Sequence, residues 1–186
     1  MRPSCAVAFA MSALVGVAHA QTTPERPSIV VLGGVSVAAS HYWEAYQAAY
    51  SAGWDVPLDG PWGLRTTFGR VERLLQEEPH DTYNLDVTFL SVEGRWRPRQ
   101  TESGVLGVLH AGVAAYHLQE SHVFSYGPWS STTESGDTQV GWTAGAALEF
   151  PLARPKWWVV WDGTYHRPGR DAPSFAVVSL GVSWRY

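Results

Sequence analysis

The chain has 186 residues, 13 Lys and Arg against 17 Asp and Glu for a net charge of −4, and 10 Trp, 8 Tyr and 6 Phe. That length suits one domain, and the acidic balance argues against nucleic acid as a partner. Beyond residue 20 no apolar run is long enough for a membrane-spanning helix, and no cysteine remains to form a disulfide or a thiolate metal site.

Met1-Arg2 supplies a short positive start, Ala6 to Ala18 is small and apolar, and Ala18-His19-Ala20 is an A-x-A site. This pattern predicts a cleaved signal peptide over 1–20. Cys5 precedes the apolar run and is not placed for lipid attachment. Residues 21–27 read as a flexible leader, and 28–186 as the folded domain. Loss of Arg2 leaves the exported chain slightly more acidic, and Lys156 is its single lysine.

The remaining chain divides into candidate strands at 28–40, 44–56, 61–73, 82–97, 103–118, 138–150, 156–166 and 174–186. Side chains alternate across a strand, so period-two patterning identifies two faces. In the second, Tyr46, Ala48, Tyr50, Ala52, Trp54 and Val56 share the apolar face. The third places Trp62, Leu64, Thr66 and Phe68 opposite Arg65, Thr67 and Arg73. The fourth changes phase: Tyr83, Leu85, Val87 and Phe89 alternate first, then Leu90, Val92 and Trp96, which predicts a β-bulge near Phe89-Leu90. In the sixth, Val140, Trp142, Ala144, Ala146, Leu148 and Phe150 share a face, and in the seventh Trp157, Val159, Trp161, Gly163 and Tyr165 oppose Trp158, Val160, Asp162, Thr164 and His166. The first and fifth are apolar on both faces and leave their phase open.

Connections alternate between short turns (58–60, 98–103, 151–155) and longer loops (40–43, 74–81, 119–137, 167–173). Trp54, Trp62, Trp96, Phe150, Trp157, Trp184 and Tyr186 gather beside the short turns, while Trp43, Tyr46, Tyr83, Trp142, Tyr165 and Phe175 fall toward the other end. Two aromatic rings at opposite strand ends suit the two headgroup levels of a bilayer. A soluble barrel would instead gather its aromatics in mid-strand. The sequence therefore predicts an all-β, eight-stranded antiparallel up-and-down transmembrane β-barrel.

The last strand carries Ala176, Val178, Leu180, Val182, Trp184 and Tyr186 on one face and Val177, Ser179, Gly181, Ser183 and Arg185 on the other. This terminal strand, together with Gly141-Trp-Thr-Ala-Gly-Ala-Ala-Leu-Glu-Phe-Pro151 and Tyr165-His-Arg167, resembles the small eight-stranded outer-membrane barrels of OmpA/OmpX or opacity-protein type. The resemblance covers nearly the whole exported chain. It implies a cell outer-membrane location in contact with lipid, and recognition of the last strand by the barrel-assembly machinery. A monomer without cofactor or metal is expected.

Eight strands leave an interior just wide enough for side chains. The expected lumen charges are Asp55, Arg65, Arg73, Glu93, Arg95, Glu149, Asp162 and Arg185, balanced in sign. Buried charges persist when paired, so these residues predict a polar plug rather than a wide pore. The leading expectation is a non-enzymatic protein with a structural or surface-interaction role. One alternative is ligand binding through a 119–137 loop carrying Phe124, Tyr126 and Trp129. Another is lipid A deacylase-like chemistry, which needs a Ser–His pair with an orienting acid. His110, His117, His122 and His166, with Ser121, Ser125, Glu120 and Asp162, are the residues available. The His-x-Ser spacing associated with such deacylases is absent, and His117 should point away from His110.

Overall fold

A computed structural model describes residues 26–38, 47–78, 81–98, 104–126, 129–154, 156–169 and 172–186, without the side chains of 38, 73–78 and 83. The expected signal peptide, most of the leader, Trp43 and Tyr46 lie outside the described residues, as do the side chains of Arg73 and Tyr83.

Eight strands follow in order: β1 (Ser28–Ala38), β2 (Gln47–Pro57), β3 (Trp62–Glu78), β4 (Asp81–Trp96), β5 (Leu106–Tyr126), β6 (Trp129–Pro151), β7 (Trp157–Arg167) and β8 (Phe175–Arg185). Each pairs antiparallel with its sequence neighbour, and β1 pairs with β8 from Ser28↔Arg185 to Ala38↔Phe175, closing an up-and-down barrel. Closure removes every sheet edge along the barrel wall, which is what lets a β structure span lipid. The turn from β2 to β3 is pinned by Leu58 N–H donating to Trp62 O at 2.9 Å. Gly60 takes a φ of 71° inside it, a conformation that favours glycine.

The outer wall is apolar. Ile29, Val31, Leu64, Phe68, Leu90, Val92, Val113, Trp161, Leu180 and Val182 are exposed around the circumference. A belt this continuous is far beyond the scattered apolar surface of a water-soluble monomer, and it matches a lipid-facing band. The structure also fixes the phase of the two strands that sequence left open. β1 turns Val30, Leu32 and Ser36 inward, and β5 turns Val108, His110, Ala114, Tyr116 and Leu118 inward.

Three expectations are corrected. The fourth strand carries no bulge at Phe89-Leu90: β4 and β5 pair without interruption from Asp81↔Phe124 to Trp96↔Leu109. Leu85, Val87 and Phe89 point inward while Leu90 and Val92 point outward. The apparent phase change is a change in what fills the lumen, from polar to apolar, along one regular strand. The irregularity sits instead on β3, between Val71 and Leu74. Second, 119–126 and 129–137 are strand rather than loop, as β5 and β6 remain paired out to Tyr126↔Trp129. Third, Phe175 is not in the outer aromatic ring; it is fully buried in the lumen.

The narrow barrel forces close strand approach at some lumen-facing positions. A Cβ at Gly112 would run into the backbone of Val92 and Glu93, and one at Gly181 into that of Val31 and Leu32. Glycine is the residue that lets those strands coil this tightly.

Candidate functional site

Inward-pointing residues build the lumen in two storeys. Nearer the chain ends, on β2, β3, β4, β6 and β8, the wall contributes Asp55, Arg65, Arg95, Glu149 and Arg185. Arg65 forks onto Asp55, with Nε to Oδ1 at 2.6 Å and Nη2 to Oδ2 at 2.9 Å. Arg95 bridges two acids, Asp55 Oδ2 at 2.6 Å and Glu149 Oε1 at 2.7 Å. Arg185 donates to Glu149 Oε2 at 2.6 Å and lies 3.7 Å from the Trp158 ring centroid. Ser28 adds a bond to Asp55 at 3.2 Å. Bidentate and bridging arginines are the geometry in which buried charge pairs are strongest.

The lattice continues toward the barrel middle. Arg65 Nη1 reaches Asp162 Oδ2 at 3.5 Å, and His110 stands between two carboxylates, 3.1 Å from Glu93 and 3.4 Å from Asp162. Thr143 and Ser91 donate to Glu93 Oε1 at 2.9 Å and 3.1 Å, and Thr164 donates to Asp162 Oδ1 at 2.5 Å. Arg185, Glu149, Arg95, Asp55, Arg65, Asp162, His110 and Glu93 thus form one linked series from wall to wall.

Above it the filling turns apolar. Val71, Leu85, Val87, Phe89, Tyr116, Leu118, Phe175 and Val177 form one buried cluster with Ala49 and Ala114. His166 is set inside it, stacked on Phe175 at 4.7 Å and 9°, with Phe89 also at 4.7 Å. The Tyr116 hydroxyl donates to Trp142 O at 3.2 Å and sits 3.2 Å from His166 Nδ1. Between the storeys lies a cavity of about 30 Å3 lined by Arg65, Glu93, His110, Asp162, His166 and Phe89 among others. That is the scale of a single water.

The outer wall carries aromatics at both levels. Near the chain ends Trp54 Nε1 donates to the Tyr186 hydroxyl at 2.8 Å, Trp184 and Tyr186 rings are 5.3 Å apart, and Trp62 meets Trp96 at 6.5 Å. Phe150 and Trp157 are exposed beside them. At the other end Trp142 and Tyr165 pair at 5.4 Å. There, β3 to β6 continue past the apolar belt as a sheet, ending in the β5–β6 hairpin. Phe124, Tyr126 and Trp129 occupy the tip of that hairpin, with Trp129 78% exposed.

No family model and no curated protein matches the chain. Solved structures do. A major outer membrane protein from Thermus thermophilus aligns with a TM-score of 0.65 at 12% identity, over 86% of this chain and 99% of that one. Neisserial surface protein A gives 0.60 at 11% identity, over 86% and 97%. Ail, the attachment invasion locus protein of Yersinia pestis, gives 0.56 at 14% identity, over 87% and 97%. The chain is an outer-membrane β-barrel. The fold, the lipid-facing belt and the resemblance read from 141–151 and 180–186 agree on this.

Among the described residues the four histidines stand apart from one another's serine neighbours. His110 and His166 are inside the lumen. His117 is outward-facing and lies 3.2 Å from Thr138 Oγ1, while His122 meets Asp81 at 2.8 Å. Ser121 and Ser125 are odd-numbered on β5 and share a face with His117, opposite to His122. Ser121 is separated from His117 by roughly 13 Å along the strand. The faces read from the sequence leave Arg97, His110 and Tyr116 out of the lumen, whereas Trp158 shares the face of Asp162 that is expected inward. Arg97 falls just past a strand end, 3.9 Å from Asp55, and His110 and Tyr116 lie on the strand whose faces could not be told apart. Their one signal was shared parity along 106–118.

Proposed function

We propose that this barrel is a closed membrane anchor that presents a surface-interaction element, and is neither a channel nor a lipid-modifying enzyme. The linked ion pairs across the lumen carry the reading. Charges of both signs hold each other over the full width, and an apolar layer lies above them, so an ion would have to break buried pairs and then cross a dry layer. Breaking such pairs costs about 3–5 kcal/mol for each partner removed. What then remains available to the surroundings is the sheet projecting beyond the belt, and function on a rigid scaffold commonly resides in such projections. The protein acts as a monomer with outer-membrane lipid around it, and its last strand, ending in Tyr186, serves as the signal for the assembly machinery.

Planar-bilayer recording of the purified protein tests the closed lumen. The expected result is no stable open channel. Reproducible conductance that changes in the Asp55→Ala or Arg65→Ala variant would overturn it.

A further inference from the structure

Short turns mark the periplasmic rim of an outer-membrane barrel, and one sector of that rim is basic. The β6–β7 turn carries Arg154 and Lys156. It is pinned by Trp157 N–H donating to Arg154 O at 2.9 Å and Leu152 N–H donating to Trp157 O at 3.0 Å. β8 ends against this turn, with Arg185 N–H donating to Lys156 O at 2.8 Å. On the other side of β8, Tyr186 N–H donates to Pro27 O at 3.2 Å, which brings Arg26 to the same sector. Lys156 and Pro27 thus flank the last strand, their backbones roughly 10 Å apart, two strand spacings. Arg26, Arg154 and Lys156 are all exposed, and Lys156 is the single lysine of the chain.

Other arginines hold carboxylates: Arg65 and Arg95 hold Asp55, Arg70 holds Asp86 and Arg185 holds Glu149. Arg26, Arg154 and Lys156 form no ion pair among the described residues. Beside them the outer wall exposes Phe150, Trp157, Trp184 and Tyr186, and Leu152 is exposed in the turn itself. Trp and Tyr collect at headgroup level. Lys and Arg stems lie along apolar surface while their heads reach polar depth. The aromatics therefore set these cations at the depth of lipid headgroups, above any polymer of the periplasm. The opposite end of the barrel has the other sign, since 119–139 holds Glu120, Glu134 and Asp137 and neither Lys nor Arg.

We propose that Arg26, Arg154 and Lys156, with the aromatics beside them, bind the phosphate of an anionic phospholipid in the periplasmic leaflet. Guanidinium groups fork onto phosphate oxygens, and the ammonium of Lys156 adds a point charge. A zwitterionic headgroup brings its own ammonium beside the phosphate, which the three cations repel; an anionic headgroup carries no such penalty. Each cation near the surface favours the anionic lipid by about fivefold. The inference rests on the lipid-embedded reading of the barrel and uses neither the lumen nor the hairpin.

The test uses the full chain in nanodiscs of equimolar phosphatidylglycerol and phosphatidylcholine, with native mass spectrometry counting the lipids that stay on the released barrel. Phosphatidylglycerol should be retained over phosphatidylcholine by at least about fivefold. Arg26→Gln combined with Arg154→Gln and Lys156→Gln should bring that ratio to about one, whereas Lys156→Arg alone should keep it. Heat-modifiable gel migration reports that each variant is folded. Equal retention of the two lipids by the unaltered chain overturns the site, as does a preference that survives in the folded triple variant. Displacement of the lipid by inorganic phosphate, beyond that caused by sodium chloride of the same ionic strength, would assign the site to a free anion and overturn the lipid. Capture by isolated peptidoglycan that depends on the three cations, without lipid preference, would overturn it in favour of the cell-wall polymer. A chain that does not enter the discs would overturn the lipid-embedded reading itself, an outcome distinct from loss of the lipid preference alone.

Discussion

The lower and upper storeys of the lumen fill the same cylinder by opposite means. Around Asp55 and Glu149 the charged groups bond one another at 2.6–2.9 Å, beside a small apolar cluster of Val30, Leu32, Val108, Ala147 and Val160. Around Phe175 and Tyr116 the filling is mainly shape, with ring centroids 6.4 Å apart and few polar groups among the described residues, the Tyr116–His166 pair chief among them. A charged filling is intolerant of losing one member, because the partners left behind stay buried and charged. An apolar filling loses in proportion to the volume removed. The contrast shows how a narrow barrel can be specified by charge at one level and by packing at the next.

Three substitutions would break or sharpen this contrast, each measured by urea titration of the folded band on heat-modifiable gels. Asp55→Ala is expected to have the largest effect, about 3–5 kcal/mol, since it removes the bidentate partner of Arg65 and one of the two acids that Arg95 bridges. A loss below about 1 kcal/mol would mean that the lower storey is not governed by pairing. Phe175→Ala should cost about 3 kcal/mol by leaving a cavity beside His166 and Tyr116. A cost well above that of Asp55→Ala would invert the ranking of the two storeys. Tyr116→Phe keeps the ring and deletes the hydroxyl that contacts Trp142 O and His166, and it should cost about 1 kcal/mol. A loss as large as that of Phe175→Ala would show that the upper storey, too, is held by a polar centre.

The same contrast decides what was legible from sequence. Where the lumen is polar, alternation is plain: Asp55, Arg65, Glu149, Asp162 and Arg185 each stand on the face opposite an apolar one and read as inward. Where the lumen is apolar, both faces of a strand look alike. Leu106 and Val108 point in while Leu109 and Val113 point out, and nothing in side-chain type separates them. Leu85, Val87 and Phe89 therefore mimicked a bulge. Aromatic character also misplaced Phe175, although its parity with Val177 and Ser179 already put it inside. The outer hairpin was missed for the opposite reason. Ser130 to Thr138 are exposed on both faces, so no burial imposes a period, and serine, threonine and glycine read as loop.

Arg185 is carried by β8, and its partner Glu149 by β6, which precedes it in the chain. Until β8 docks, Glu149 lacks the 2.6 Å bond from Arg185 to Oε2 and keeps the 2.7 Å bond from Arg95 to Oε1. The seam between β1 and β8 places Ser28 against Arg185. A slip of one residue there would turn Arg185 toward lipid and cost Glu149 one of its two guanidinium bonds, because side-chain direction reverses with each residue. A one-residue slip at the seam is thereby penalised electrostatically, and the observed register is the one in which β8 completes the lattice.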